Sequence, residues 1–376
     1  MGITRIANVT GLDYVGIPVV MVVRPNSRSL SVAQGKGLSI DAAKAGGVME
    51  AIESYHGEHI TQPIKTASFE ELRYIHDVVD PLSLSHVSTS SYSHNLSISW
   101  IEGVDLVSQR EVWLPYEAIH TNFTLPIPGG SGSFVMGSNG VASGNHVLEA
   151  ISHGICEVIE RDSTTLWHLL EEEAQVRTRV DLQTVDDDQC CEILERYREA
   201  GIAVAVWDST SDIGIPAFVC SILEGRERYF PSLYAAAGMG CHPNRGIALC
   251  RALTEAAQSR LTLIAGSRDD MFRRRYERAR DADALRRSRE ELLEGRAERS
   301  FQEVPNRVHD SIEEDVEWEL ERITNRGFQR LIVVDLTKEE FRIPVVRVVI
   351  PRLEGNHKSA GYVYGQRARA RIDEAG

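Results

Sequence analysis

Hydrophobic positions along the chain fall into short β-branched runs and longer stretches at helical spacing. The run Ile17-Pro-Val-Val-Met-Val-Val23, closed by Arg24-Pro25, predicts a strand. A second strand is expected over 29–34, leading into Gly35-Lys36-Gly37. Ser39 then caps a helix with Asp41 in its first turn and apolar spacing to about Tyr55. Residues 60–95 are rich in Ser, His, Thr and Pro and predict irregular structure, followed by strands at 97–106 and 111–115. Residues 126–143 read as loop, with Pro128-Gly129-Gly130-Ser131-Gly132-Ser133 its least ordered part. A helix after Asn145 extends to about Glu172, strands follow at 203–207, 216–223 and 228–236, and a third helix covers 246–266. Beyond it come a helix at 313–326 and strands at 330–336 and 342–350. Strands and helices mix without a βαβ rhythm, which predicts α+β architecture with mixed, largely antiparallel sheets and long helices. No repeat of 20–50 residues and no linker stands out, so one domain over 1–376 is expected, with an arginine-rich helical excursion at about 268–300.

Composition narrows the function. The net charge of −14 argues against a nucleic-acid binder, since phosphate contacts need a cationic surface. No run is long and apolar enough to span a bilayer, and Met1 to Asn8 lacks the layout of a secretory signal, so no membrane association and a cytoplasmic protein are expected. The arginines between Arg268 and Arg299 alternate with Asp and Glu, as on a solvated helical face, a docking surface for an acidic partner being the alternative. Six cysteines show no CxxC pair, and Cys190 and Cys191 are adjacent, so reduced, structural thiols are expected. His56, His59, His146, His153 and His168 read as satisfied surface or core side chains rather than metal ligands.

Three helices carry the candidate chemistry. The first holds Glu50-Ala-Ile-Glu53, two carboxylates three apart that can face one spot, beside Ala45, Gly46 and Gly47. The second holds Glu149, Glu157 and Glu160; in end-on projection Glu149 and Glu160 fall about 20° apart, with Glu157 about 80° away. Its remaining surface, Ile151, Ile155, Val158 and Ile159, is apolar, so this helix is buried. Clustered buried carboxylates are costly unless cations neutralise them, and Mg²⁺ prefers such oxygens. The loop Ser138-Asn139-Gly140 to Gly144-Asn145 offers N–H groups at a helix start, suited to a phosphate or simply to an Asn cap. The third helix spaces Arg251, Glu255 and Gln258 on one face, where a guanidinium and an amide can meet phosphate oxygens.

Taken together these segments resemble the YcaO family. Gly35-Lys36-Gly37 with Glu50-Ala-Ile-Glu53 is similar to its first signature, Ser138 through Asp162 to its central motif, and Arg251-Ala-Leu-Thr-Glu255-Ala-Ala-Gln258-Ser-Arg260 to its third. The likeness runs from residue 2 to about 365, with Gly46-Gly47 and Ser54 as departures where the family often has Ser-Ala and Arg. The resemblance implies an ATP-binding fold around a nucleotide cleft, with ATP and Mg²⁺ as cofactors. By position it makes Glu50, Glu53, Glu149, Glu157 and Glu160 metal ligands, and Arg5, Asn145, Arg161, Arg251 and Gln258 nucleotide contacts. It implies phosphorylation of a backbone amide oxygen in a peptide or protein substrate. The ending Tyr362-Val-Tyr364-Gly365-Gln-Arg367, without proline after Pro351, is more like the TfuA-associated branch. That branch implies thioamide formation with a TfuA-like protein and a sulfide source. An azoline-forming cyclodehydratase and a non-catalytic peptide scaffold are the alternatives, and a homodimer is left open.

Overall fold

The structure, a computed structural model, describes residues 1–127, 130–226, 235–271, 273–278 and 281–375. The expected loop residues Pro128 and Gly129, and most of the strand expected over 228–236, lie outside the described residues.

The chain opens with three antiparallel strands, β1 (Arg5–Asn8), β2 (Val19–Val23) and β3 (Val32–Lys36), in the order β1-β2-β3. Helix α1 (Ile40–Glu58) follows, its cap Ser39 accepting from the Ala42 N–H as the sequence predicts. Next come β4 (Ile64–Ala67), β5 (Ile98–Asp105), β6 (Arg110–Pro115) and the short β7 (Val141–Ser143), which leads into α2 (Val147–His168). A helix over Asp188–Glu199 precedes β8 (Ile202–Asp208), β9 (Ala217–Glu224) and β10 (Ala236–Cys241), an antiparallel sheet in the order β10-β9-β8. From β10 the chain enters α3 (Arg245–Ala265), capped by Asn244 and ended by Gly266 at positive φ. Near the C-terminus β11 (Ile332–Asp335) and β12 (Val345–Val349) complete a six-stranded sheet in the order β4-β5-β11-β12-β7, with β6 also on β5. The architecture is α+β, with largely antiparallel sheets and long helices.

Two expectations change in detail. His146, not Asn145, caps α2, because its ring accepts from the Leu148 N–H while the Asn145 backbone and side-chain amides both turn to Glu149. The helix stops at His168 rather than near Glu172, and a separate short helix, Glu172–Arg177, follows. The arginine-rich excursion does not only face water. Its helix Ala282–Glu294 packs Leu285 and Leu292 against Trp167 and Trp207, and buried Arg289 donates to the Glu224 carbonyl.

The three long helices are built alike. Each follows the edge strand of an antiparallel sheet: β3 for α1, β7 for α2 and β10 for α3. Each edge strand ends three residues before its helix cap, at Lys36, Ser143 and Cys241. Each helix packs on its own edge strand and also on that of the next unit, α1 on β7, α2 on β10 and α3 on β3. The three strand–helix units therefore close a ring. Close approach within a unit requires glycine. A Cβ on Gly35 would stand 1.9 Å from the Ala43 carbonyl oxygen, and one on Gly240 2.1 Å from that of Ala248.

Candidate active site

Counted from the helix caps, the acids of the three units fall in one register. Glu50 stands eleven residues after Ser39, Glu157 eleven after His146 and Glu255 eleven after Asn244. Three residues further on are Glu53, Glu160 and Gln258. Because the helices close a ring, equal register brings these six side chains to a shared cleft. At that register each unit uses its first acid in the same way. Glu50 accepts from the Gln34 N–H at 3.2 Å, Glu255 from the Met239 N–H at 3.3 Å, and Glu157 from the Gly140 backbone.

The carboxylates are enclosed by protein yet keep an open side; side-chain exposure is 21% for Glu157, 10% for Glu160 and 24% for Glu255. Burial pushes Glu50 up to about 7 and Glu53 up to about 8, with the charge on Glu157 adding to both. Ser143 opposes this at Glu53 through its N–H at 2.9 Å and its hydroxyl at 2.6 Å. Burial raises Glu157 as well, and lifts Glu160 to about 7 against the pull of Arg161. Arg161 reaches Glu160 at 3.2 Å and Glu157 at 3.8 Å. Glu255 differs. Burial would raise it too, but Lys36, 3.0 Å away, and Arg161 hold it below the usual carboxylate range.

The sequence-derived residues do not all gather at one point. Glu50, Glu53, Glu157, Glu160 and Arg161 interact directly or through their charges. Arg251, one turn before Glu255 on α3, donates to the Cys241 carbonyl at 3.1 Å, and Gln258 is half-buried one turn after Glu255. Glu149 is separated along α2 from Glu160 by a rise of about 16 Å, which an end-on projection hides. It is bonded to Asn145 instead, at the helix start. Arg5 sits exposed on β1, the outer strand of the first sheet, with no hydrogen bond or ion pair to the acids among the described residues.

Two further groups belong with the cleft, of which Arg347 was not singled out from sequence. Arg347 on β12 is buried, interacts with Glu157, and is pushed down to about 10 by burial. One guanidinium nitrogen donates to the Gly137 carbonyl at 2.6 Å, while Nε has no partner. An arginine in the middle of the otherwise apolar run Val345–Val349 is the available signal. His153 faces out from α2, under the influence of Arg251 and Lys36.

Carboxylates that resist ionisation, with Arg161, Arg347 and Lys36 beside them, suit a divalent cation with a polyphosphate. The buried Asn139 Oδ1, also without a partner, lies in the glycine-bearing loop before α2. Among the described residues no group of three His, Cys, Asp or Glu side chains is already drawn tightly enough to ligate an ion. The carboxylate oxygens of Glu50, Glu53, Glu157 and Glu160 are of the hard kind that Mg²⁺ prefers. All six cysteines are unpaired by disulfides, and no helix among the described residues is long and apolar enough to cross a membrane.

A metal-and-nucleotide cleft between three acid-bearing helices is the class of site that this fold defines. A family model described as YcaO cyclodehydratase, ATP- and Mg²⁺-binding, matches residues 34–354. The chain is 35% identical over 373 residues to an uncharacterized protein in the tfuA 3' region of Rhizobium leguminosarum bv. trifolii, covering 98% of this chain and 87% of that protein. It is 34% identical over 358 residues to an uncharacterized protein of Methanothermobacter thermautotrophicus, covering 94% and 90%. Among solved structures, YcaO from Methanopyrus kandleri bound with AMPPCP and Mg²⁺ shares the fold at a TM-score of 0.68 and 22% identity, covering 94% of this chain and 86% of that one. A heterocyclase in complex with substrate and cofactor gives 0.79 at 23% identity, with 99% of this chain covered. This chain spans about half, 52%, of that heterocyclase. The protein belongs to the YcaO family, and its likeness to the tfuA-region protein fits the TfuA-associated branch. ATP and Mg²⁺ are its cofactors.

Proposed function

We propose that the protein uses ATP to activate a backbone amide of a peptide or protein, giving a thioamide with sulfide from an external source and a TfuA-like partner. The convergence of Glu50, Glu53, Glu157 and Glu160 with Arg161 on one cleft is the observation that carries the ATP-dependent part. The likeness to the tfuA-region protein supports the branch.

An amide oxygen is a poor leaving group, and phosphorylation makes it a good one. Hydrosulfide adds to the amide carbon, and the resulting oxyanion takes the γ-phosphoryl group, releasing ADP. Collapse expels phosphate, which leaves with the hydrosulfide proton, and a C=S bond replaces C=O. Transfer of this kind needs positioning and charge neutralisation more than covalent help from the protein. Arg161 and Arg251 would orient the phosphates, and Glu50, Glu53, Glu157 and Glu160 would hold Mg²⁺. When bound, Mg²⁺ neutralises charge on the transferring group. The raised carboxyls must lose their protons as they take the metal, so metal binding releases protons. Glu149, paired with Asn145 at the start of α2, would be a further metal ligand, and Asn145, Gln258 and Arg5 further nucleotide contacts. All of this machinery is proposed to lie within one domain.

The described fold is also that of a heterocyclase, which favours one second reading, an azoline made with a substrate Cys, Ser or Thr as nucleophile. Intact mass of a candidate peptide, treated with the protein, TfuA-like partner, ATP and sulfide, separates the two. Exchange of oxygen for sulfur supports the thioamide. Loss of water sinks the thioamide assignment.

A further inference from the structure

The ring of three units places different residues at one structural position, the last residue of each edge strand. Ser143 of the second unit gives two hydrogen bonds to Glu53 of α1, the helix that packs on its strand. Lys36 of the first unit makes the corresponding contact, to Glu255 of α3, but with a full positive charge at 3.0 Å. Cys241 of the third unit offers neither and is fully buried. The acid that Lys36 serves is on the helix whose second position holds Gln258 instead of a glutamate. The third corner of the cleft thus has one acid fewer than the other two, and its remaining acid is paired with a cation from a neighbouring unit rather than with one from its own helix, as Glu160 is with Arg161.

Lys36 is held only at its tip. Its side chain remains 27% exposed, and Glu255 Oε2 is the one polar atom that its Nζ contacts among the described residues. Glu255 has a second anchor, the Met239 N–H, so the carboxylate stays in place if the ammonium leaves. A flexible four-carbon stem ending in a point charge suits a counter-ion that can change partner.

We propose that Lys36 is a tethered counter-ion of the metal cleft, which holds Glu255 in the metal-free protein and competes with the divalent ion for that carboxylate. The proposal rests on reading the cleft as a metal–nucleotide site. The Glu255 charge acts on Glu157 and Glu160, so a bare ion held by those acids is drawn to Glu255 as well and must displace Lys36 from it, whereas an ion arriving with nucleotide brings phosphates that accept the freed ammonium. Lys36 thereby couples metal entry to nucleotide entry. Its role is positional: it sets which cation Glu255 meets and when.

Titration of the full-length protein with Mn²⁺, followed by the electron paramagnetic resonance of the free ion, tests this without turnover. In the absence of nucleotide, Lys36→Met is expected to bind Mn²⁺ about tenfold more tightly than wild type, since a competing unit charge at contact distance is gone. With Mn²⁺ present, the same variant is expected to bind a non-hydrolysable ATP analogue about tenfold more weakly. Lys36→Arg should stay near wild type in both titrations, and Lys36→Gln, a second neutral variant, should follow Lys36→Met. In a Glu255→Gln background, Lys36→Met should no longer tighten Mn²⁺ binding. Unchanged or weaker Mn²⁺ binding by natively melting Lys36→Met or Lys36→Gln overturns the proposal, as does equal tightening in the Glu255→Gln background. Wild type that binds no Mn²⁺ even with the analogue overturns the reading of the cleft itself, a separate failure.

Discussion

Glu53 and Glu255 lie on adjoining helices of one cleft and are stabilised in opposite senses. Glu53 meets only the neutral donors of Ser143, and burial pushes it up to about 8. Glu255 meets Lys36 and falls below the usual range. The raised group has a consequence for stability. With a reference value of 4.5, the unfolded carboxyl gives up its proton well before the folded one does. Its stabilising contribution is therefore complete below about pH 4.5 and is lost as pH rises through the folded value. Glu50 and Glu160, both pushed up to about 7, act with the same sign. Thermal melts without metal should show Tm falling as pH is raised from about 5 to about 8, and less steeply in Glu53→Gln. Mg²⁺ with an ATP analogue should raise Tm most at the alkaline end, where the acids are charged. A metal-free profile identical in Glu53→Gln would contradict this assignment.

At the scale of elements, the unit of construction is an edge strand laid flat on the helix that follows it. Gly35→Ala would drive a methyl into backbone atoms at 1.9 and 2.2 Å and should cost about 3 kcal/mol in urea unfolding. Gly46→Ala is the control: its nearest neighbours would be 3.9 Å away, so helix propensity should stabilise by about 0.5–1 kcal/mol. A similar loss in both variants would mean that the helix, not the strand contact, is sensitive. These elements were readable because their signals are local. Ser39 before Asp41 and the β-branched run at Val19–Val23 announce a cap and a strand without outside help. The ring of units was not readable. The second unit draws its partner strands, β11 and β12, from residues 332–349, so no linear repeat exists to detect. The common register of Glu50, Glu157 and Glu255 appears only when counted from caps, and the middle cap is His146 where an Asn cap was expected. Lys36 looked like part of a glycine turn, because its partner is 219 positions away. Arg347 lay hidden for a similar reason, as its meaning depends on β12 packing beside α2.

At the scale of the molecule, the C-terminal segment braces the helix that carries the central acids. Arg367 forms ion pairs with Asp162 at 3.0 Å and with Asp212 at 2.5 Å, and Asp162 also accepts from the Glu354 N–H. Asp162 is fully buried beside Arg161, so Arg367→Ala leaves an uncompensated carboxylate and should cost about 3 kcal/mol, read by denaturant unfolding. A loss no larger than that of an exposed pair would show that the brace is slack. The proposed function requires acids from separate helices to act as one site for metal and nucleotide. Isothermal calorimetry of a non-hydrolysable ATP analogue, with and without Mg²⁺, measures this most directly when wild type is compared with Glu157→Gln. Mg²⁺-dependent binding is expected in wild type, with loss of the Mg²⁺-dependent part in a variant that still melts cooperatively. Equal binding in the two proteins, or binding indifferent to Mg²⁺, would contradict it.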